Sequence, residues 1–273
     1  MSELMRIYSN VQAMQSMNSL GRISDKMGMH QMRLATGKKI NSAADDPAGY
    51  QLARSLETRK RGLDAALQNV SQAKNVLNVA EGGYQNVMDI LQTIKEKATQ
   101  AADYSLSNTQ RTAINDQVTA LLGEIDDIVS ETTFNGDSLI DGGYAGNFHT
   151  GEGSTDQLAI SLGDSDSAAL GVNAISLSTA NGASTAIGTV STAIDTLAGR
   201  VQDVGEYKVR LASKENTLSV AATNTEAVRS TVEDADFAKE QMEVMKLQIL
   251  QQTAISSFAQ ANSSPQVVLS LFR

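Results

Sequence analysis

The sequence predicts a mainly α protein, a long antiparallel coiled-coil helix bundle or rod with a small β-hairpin region and helical N- and C-terminal segments that pair. Three observations predict it. A heptad stripe keeps phase from Leu52 to Ala98, a second stripe of similar character runs from Val190 to Ala222, and turn-rich or low-complexity sequence is confined to the stretch between them. A repeat of 3.5 residues is the period that holds one face of a helix against a partner helix, so two such stripes in one chain predict two long helices packed side by side.

The N-terminal segment carries the stripe Ala13, Met17, Leu20, Ile23, Met27, His30 and Leu34, apolar except at His30. Its many methionines suit an adaptable packing surface, because the unbranched thioether fills irregular gaps. An amphipathic membrane-surface helix is the rival reading of this segment, disfavoured by its lack of Trp and Phe. Gly37 ends the helix, and Asp46 followed by Pro47 starts the next one with an N-cap and a first-turn proline. The long seam then reads Leu52, Leu56, Arg59, Leu63, Ala66, Val70, Ala73, Leu77, Ala80, Tyr84, Val87, Leu91, Ile94 and Ala98, with Arg59 its one charged member. A helix from Asp46 to about Asp103 would be roughly 85 Å long, too long for a spherical domain of this mass. Gly82-Gly83 is where a bend is expected, although the stripe stays in phase across it.

Ser107 or Asn108 can cap a third helix with the stripe Ile114, Val118, Leu121, Ile125 and Ile128, turning back onto the seam. Phe134-Asn-Gly136, Asp141-Gly-Gly143 and Thr150-Gly-Glu-Gly153 are turn signals flanking the strand-like runs Tyr144–His149 and Gln157–Leu162. Residues 163–193, mostly Ser, Thr, Ala, Gly, Asn and Asp, are expected to form the outermost and least constrained part. Helical phase returns at Val190, Ile194, Leu197, Val201, Val204, Lys208, Leu211, Glu215, Leu218 and Ala222. The C-terminal helix has two stripes, Val244, Leu247, Leu250, Ala254, Phe258 and Ala261 on one side and Ala238, Met242, Met245 and Ile249 on another, and Pro265 is expected to end it. Two apolar faces on one helix require two sets of neighbours. The resulting layout is 1–45 (N-terminal helix and spoke), 46–133 (first rod helices), 134–185 (hairpin and exposed loop), 186–232 (returning rod helix) and 233–273 (C-terminal helix).

Composition removes most chemistry. The chain has no Cys and no Trp, and aromatics make up 4% of it, so disulfides and thiol catalysis are excluded and the core is built of small aliphatics in narrow seams. No Lys or Arg occurs between Arg111 and Arg200, where twelve Asp and Glu fall, within a net charge of −9. A block of that sign repels phosphates and reads as a solvated outer face, so nucleic-acid binding is disfavoured. His30 and His149 lack zinc-site spacing, no P-loop or GxGxxG occurs, and Asp45-Asp46 and Asp126-Asp127 read as cap and surface residues. No enzyme, cofactor or metal site is expected. Neither a secretory signal nor an apolar run of membrane-spanning length is found.

Arg33 to Gly49 (RLATGKKINSAADDPAG), Val232 to Ala238 (VEDADFA), Gln248 to Ala254 (QILQQTA), Ala259 to Asn262 and Val268 to Leu271 together resemble the terminal signatures of bacterial flagellins, and Glu124-Ile-Asp126 and Phe134-Asn-Gly136 fit as well. The likeness covers residues 5–145 and 200–273, with Met1–Leu4 outside it. It implies a structural subunit that self-assembles into the flagellar filament for motility, exported unfolded by the flagellar type III system and placed outside the cell. It further implies that the terminal helices form the filament core, with subunit assembly carried by Val11, Met14, Met17, Leu20, Met27, Leu34, Val244, Leu247, Leu250, Phe258, Leu269 and Leu271. Implied partners are other copies of the chain, an export chaperone at the C-terminus, and the filament cap and hook-associated proteins. A hook–filament junction protein, or a secreted adhesin or immune ligand, is the alternative. Leu91, Gln92, Thr93, Lys95, Lys97 and Glu124 resemble the region that the innate-immune flagellin receptor reads, but Thr93 and Lys97 replace an arginine and a leucine of that motif. Loss of the guanidinium fork and of an apolar anchor implies weak recognition.

Overall fold

The computed structural model describes the backbone of residues 10–270 and the side chains of residues 10–263. In order the elements are helices α1 (Val11–Thr36), α2 (Pro47–Ala101) and α3 (Asn108–Glu131), strands β1 (Thr133–Phe134), β2 (Asp137–Ser138), β3 (Ala145–His149) and β4 (Gln157–Ser161), and helices α4 (Ala180–Glu233) and α5 (Phe237–Ser270). The boundaries follow the local chemistry. Gly37, at φ 70°, closes α1 with its N–H on the Arg33 carbonyl. The Asp46 carboxylate accepts the Gly49 N–H at 3.0 Å at the start of α2, and Ser107 with Gln110 forms a capping box on α3. The chain divides into two compact units, one of residues up to Thr58 with those from Asn224 onward, the other Arg59–Thr223.

In the Arg59–Thr223 unit the seam closes within the chain. From Leu63 to Ala98 all eleven of its stripe positions are buried, most of them completely. Against them lie Val190, Leu197, Val204, Leu211 and Leu218 of α4 and Ile114, Val118 and Ile125 of α3, joined by Leu122 and Val129, which the α3 stripe omitted. The polar members of the α4 stripe are accounted for: Lys208 pairs with Glu81 and Glu215 with Lys74. One number of each pair rises as the other falls, which fixes α4 antiparallel to α2. Gly82-Gly83 does not interrupt α2, which is continuous from Pro47 to Ala101. A Cβ on Gly83 would sit 2.7 Å from Thr132 Oγ1 and 2.9 Å from Ile140 Cδ1, so the glycine is there to let the end of α3 and the following turn approach.

Arg111 is buried at the turn from α2 into α3. Its guanidinium donates to the carbonyls of Ala101 (2.9 Å), Leu106 (2.7 Å) and Asp103 (2.6 Å), closing the connector that turns α2 into α3. A cation at a helix C-terminus is favoured by the carbonyl ends gathered there. β1 and β2 form a two-residue hairpin over Asn135 (φ 55°) and Gly136 (φ 94°), the positive-φ pair that such a turn requires. β3 and β4 pair antiparallel from Ala145↔Ser161 to His149↔Gln157, and Leu158 and Ile160 point inward.

Three expectations are corrected here. The stretch 163–193 is not a loose loop. Helix α4 already begins at Ala180, and the segment before it is pinned: Tyr84 donates to the Gly163 carbonyl at 2.8 Å, Asp126 accepts from both the N–H and the hydroxyl of Ser167, and Asn115 accepts the Leu177 N–H. Val172 and Leu177 are fully buried, so a few well-placed apolar residues anchor a sequence too polar for a core of its own. Burial against α4 pushes the Tyr84 phenol up to about 12. Second, the seam does not begin inside the core, since Leu52, Leu56 and Arg59 all retain exposure. Arg59, the one charged member of the seam, bonds Glu152 of the β3–β4 turn at 3.0 Å while remaining half exposed. Third, α5 does not end at Pro265 but runs to Ser270. Proline removes one helical hydrogen bond, here to the carbonyl of Ala261. That carbonyl instead accepts Asn10 Nδ2 at 2.8 Å.

Candidate assembly surface

Within the unit formed by the two ends of the chain, α1 and α5 pair antiparallel. Asn10 reaches Ala261, His30 and Arg33 reach Glu240, and a β-bridge joins Lys38 to Asp234. Ala13, Val244, Leu247 and Ala261 are buried in this pairing. Leu20, Ile23, Met27, Leu34, Ala254 and Phe258 are half-buried.

The closed end of the pair is held by charge. Buried Glu240 takes His30 Nδ1 and, at 3.6 Å, Arg33. Glu233 receives Lys38 Nζ at 2.7 Å and Arg229 at 2.5 Å, while its carbonyl accepts the Lys39 N–H at 2.7 Å. Burial acts to raise the Glu233 carboxyl, but Lys38 and Arg229 outweigh it and hold the group below the ordinary glutamate range. The Asp45 carboxylate accepts the N–H groups of Ser42 and Asn41, which lowers its pKa and shapes the connector after α1.

The opposite faces of the same helices are apolar and open. Val11, Met14, Met17 and Met32 on α1 and Met242, Met245, Ile249, Leu250 and Ile255 on α5 are all exposed, with Met17 at 65% and Ile249 at 67%. Apolar side chains repeated along both helices make a surface that water does not favour and that a further helix can cover. Of the residues expected to carry assembly, Val11, Met14, Met17 and Leu250 lie on this surface, Leu20, Met27, Leu34 and Phe258 flank the seam, and Val244 and Leu247 lie inside it. The Leu269 side chain and Leu271 lie outside the described residues.

The receptor-like segment divides in the same way. Leu91 is fully buried in the core of the other unit, Gln92 and Glu124 are exposed, and Thr93, Lys95 and Lys97 are half-buried. Thr93 spends its hydroxyl on the Asp89 carbonyl at 3.0 Å. Sequence reasoning missed the Asn10–Ala261 and Lys38–Glu233 contacts, whose partners are 251 and 195 residues apart and leave no local pattern. The exposed α5 face, by contrast, was signalled by the second stripe. Among the described residues no group of three or more side chains suited to a metal occurs, and no helix is long and apolar enough to cross a membrane.

Comparison with known proteins gives a consistent result. Residues 7–145 match the family model for the bacterial flagellin N-terminal helical region, and residues 187–272 match that for the C-terminal helical region. Flagellin FlaB1 of Treponema pallidum is 32% identical over 286 residues, covering 98% of this chain and 100% of the relative. The flagellin of Bacillus subtilis is 31% identical over 98% of this chain and 100% of its own length. A solved structure from Vibrio parahaemolyticus, described as a flagellar hook-associated protein, superposes with a TM-score of 0.59 over 70% of this chain and 100% of its own; at 12% identity it bears on the fold alone.

Proposed function

This chain belongs to the bacterial flagellin family, a family of structural proteins and not of enzymes, and from that premise we propose how it serves as a subunit of the flagellar filament, polymerising with its own copies outside the cell. In this reading the α1/α5 pair, within 1–45 and 233–273, forms the filament core. The observation that carries this reading is the open apolar face on α1 and α5, which an isolated chain leaves in water and a neighbouring copy can cover. The same face gives an export chaperone and, at filament ends, cap and hook-associated proteins a surface to hold. Export through the flagellar type III system in unfolded form suits a chain whose terminal helices keep an apolar face uncovered until assembly.

Truncation after Phe258 tests the core assignment. The shortened chain is expected to keep its helical circular dichroism and to form no filaments by electron microscopy after seeding; filaments of normal stability would overturn the assignment. Recognition by the innate-immune flagellin receptor is weak in this reading, because Leu91 is buried and Thr93 and Lys97 offer neither fork nor anchor. Reporter cells given monomer should respond more strongly to the T93R/K97L variant, and equal potency would count against it.

A further inference from the structure

We propose that Met14, Met17, Met32, Met242 and Met245 are an oxidation site through which hydroperoxides prevent unassembled subunits from polymerising. The inference rests on the reading that other copies cover the outer faces of α1 and α5. Nine of the ten methionines lie before residue 59 or after residue 223, and the tenth is Met88. The buried core of the Arg59–Thr223 unit is filled by Leu, Ile, Val, Ala and Tyr84, so methionine is concentrated where copies are to meet and is not spread by composition. With no cysteine in the chain, thioethers are its most readily oxidised groups. The five named here are exposed, from Met245 at 48% to Met17, whereas Met88 is packed against the core.

The chemistry is a two-electron oxygen transfer. The thioether sulfur attacks the peroxide, an S–O bond forms as the O–O bond breaks, and hydrogen peroxide leaves as water; sulfur is oxidised and peroxide reduced. A flexible apolar side chain becomes a polar sulfoxide. Covered by the apolar face of a neighbouring helix, that oxygen finds no donor, which lowers association by on the order of tenfold per uncompensated group. Once a subunit is in place its sulfurs are covered. Oxidation therefore acts on subunits before they add and spares those already in the filament, and methionine sulfoxide reductases, drawing two electrons from a thiol reductant and releasing the oxygen as water, remove the block.

The test treats full-length monomer and preformed filaments with hydrogen peroxide, then follows each methionine by peptide mass spectrometry and polymerisation by sedimentation. In monomer the five sites are expected to convert ahead of Met88, with the critical concentration rising at least about tenfold and returning after treatment with methionine sulfoxide reductases. A chain carrying Leu at all five positions should polymerise alike before and after peroxide. Oxidised monomer that polymerises normally, a five-site variant that still loses polymerisation to peroxide, or conversion no faster than at Met88 would each overturn the proposal. Because reductase rescue is read on the unaltered sequence, the proposal stays testable if the five-site variant fails to assemble. Sulfurs that oxidise as fast in filaments as in monomer would instead sink the assembly reading on which it rests.

Discussion

Replacing Asn10 by alanine should destabilise the α1/α5 pairing by more than a helix cap alone explains, and Pro265 should account for the excess. Asn10 makes two bonds at once. Its Oδ1 accepts the Ala13 N–H at 3.0 Å, capping α1, and its Nδ2 donates at 2.8 Å to the Ala261 carbonyl, the group that Pro265 leaves without a helical donor. Loss of an Asn cap costs about 1 kcal/mol, and a buried carbonyl left without a donor costs about 1–3 kcal/mol more. N10A should therefore lose about 2–4 kcal/mol. In the P265A background the Ala261 carbonyl regains an amide partner, and the same substitution should cost only about 1 kcal/mol. N10D keeps the acceptor and loses the donor, so it isolates the second bond. Thermal melting by circular dichroism and hydrogen exchange of α1 and α5 amides, both on the full chain assembled into filaments, measure the cycle. If N10A costs the same with and without Pro265, the carbonyl at Ala261 does not depend on Asn10 and the reasoning fails.

Three further outcomes follow from groups in contact. Arg111→Leu removes the donor to three connector carbonyls and should cost about 2–4 kcal/mol in urea unfolding, while Arg111→Lys should recover little, since an ammonium cannot span the three acceptors as the guanidinium does. Glu233, held below its ordinary 4.5 by Lys38 and Arg229 against the effect of burial, contributes stability in full above the unfolded value and loses it as pH falls through the lower folded value. Melting temperatures across the acid range should therefore drop less steeply for E233Q, which should also be less stable than the unaltered chain near neutral pH. Asp126→Ala removes both bonds to Ser167, and limited proteolysis should then cut within 163–179 on the order of tenfold faster; unchanged cleavage would mean that the buried Leu170, Val172 and Leu177 and the bonds to Tyr84 and Asn115 hold the segment without Asp126.

The parts of this fold legible in the sequence were those written as periodicity or local cap chemistry. The 3.5-residue stripe located the buried face of α2 from Leu63 onward, Asp46 and Ser107 marked helix starts, and Asn135-Gly136 marked the first hairpin. What periodicity could not say is which partner covers a stripe. Leu52, Leu56 and Arg59 continue the pattern, yet none of them is in the core. Composition misled over residues 163–179, because three buried apolar side chains, Leu170, Val172 and Leu177, and a few distant acceptors suffice to fix a polar segment. Proline misled at 265 because the missing hydrogen bond is made good from the other end of the chain.

The same distinction bears on assembly. A stripe whose members have no exposure has found its partner within the chain, so the run from Val70 to Ala98 has nothing left to offer another copy. The polar members of the facing α4 stripe are consumed as well, since Lys208 and Glu215 set the α2/α4 register with Glu81 and Lys74. The terminal helices differ. Each has one side closed by the α1/α5 pairing and another left apolar and open, and an isolated helix pair with such faces is stabilised by whatever covers them. If copies meet on those open faces, as proposed above, the substitutions that most weaken polymerisation without unfolding the Arg59–Thr223 unit should fall at Met14, Met17, Met242 and Ile249. Polar replacements there, read by sedimentation beside the circular dichroism of the monomer, separate assembly from folding; a loss of both together would mean that these side chains serve the single chain and not its contacts with neighbours.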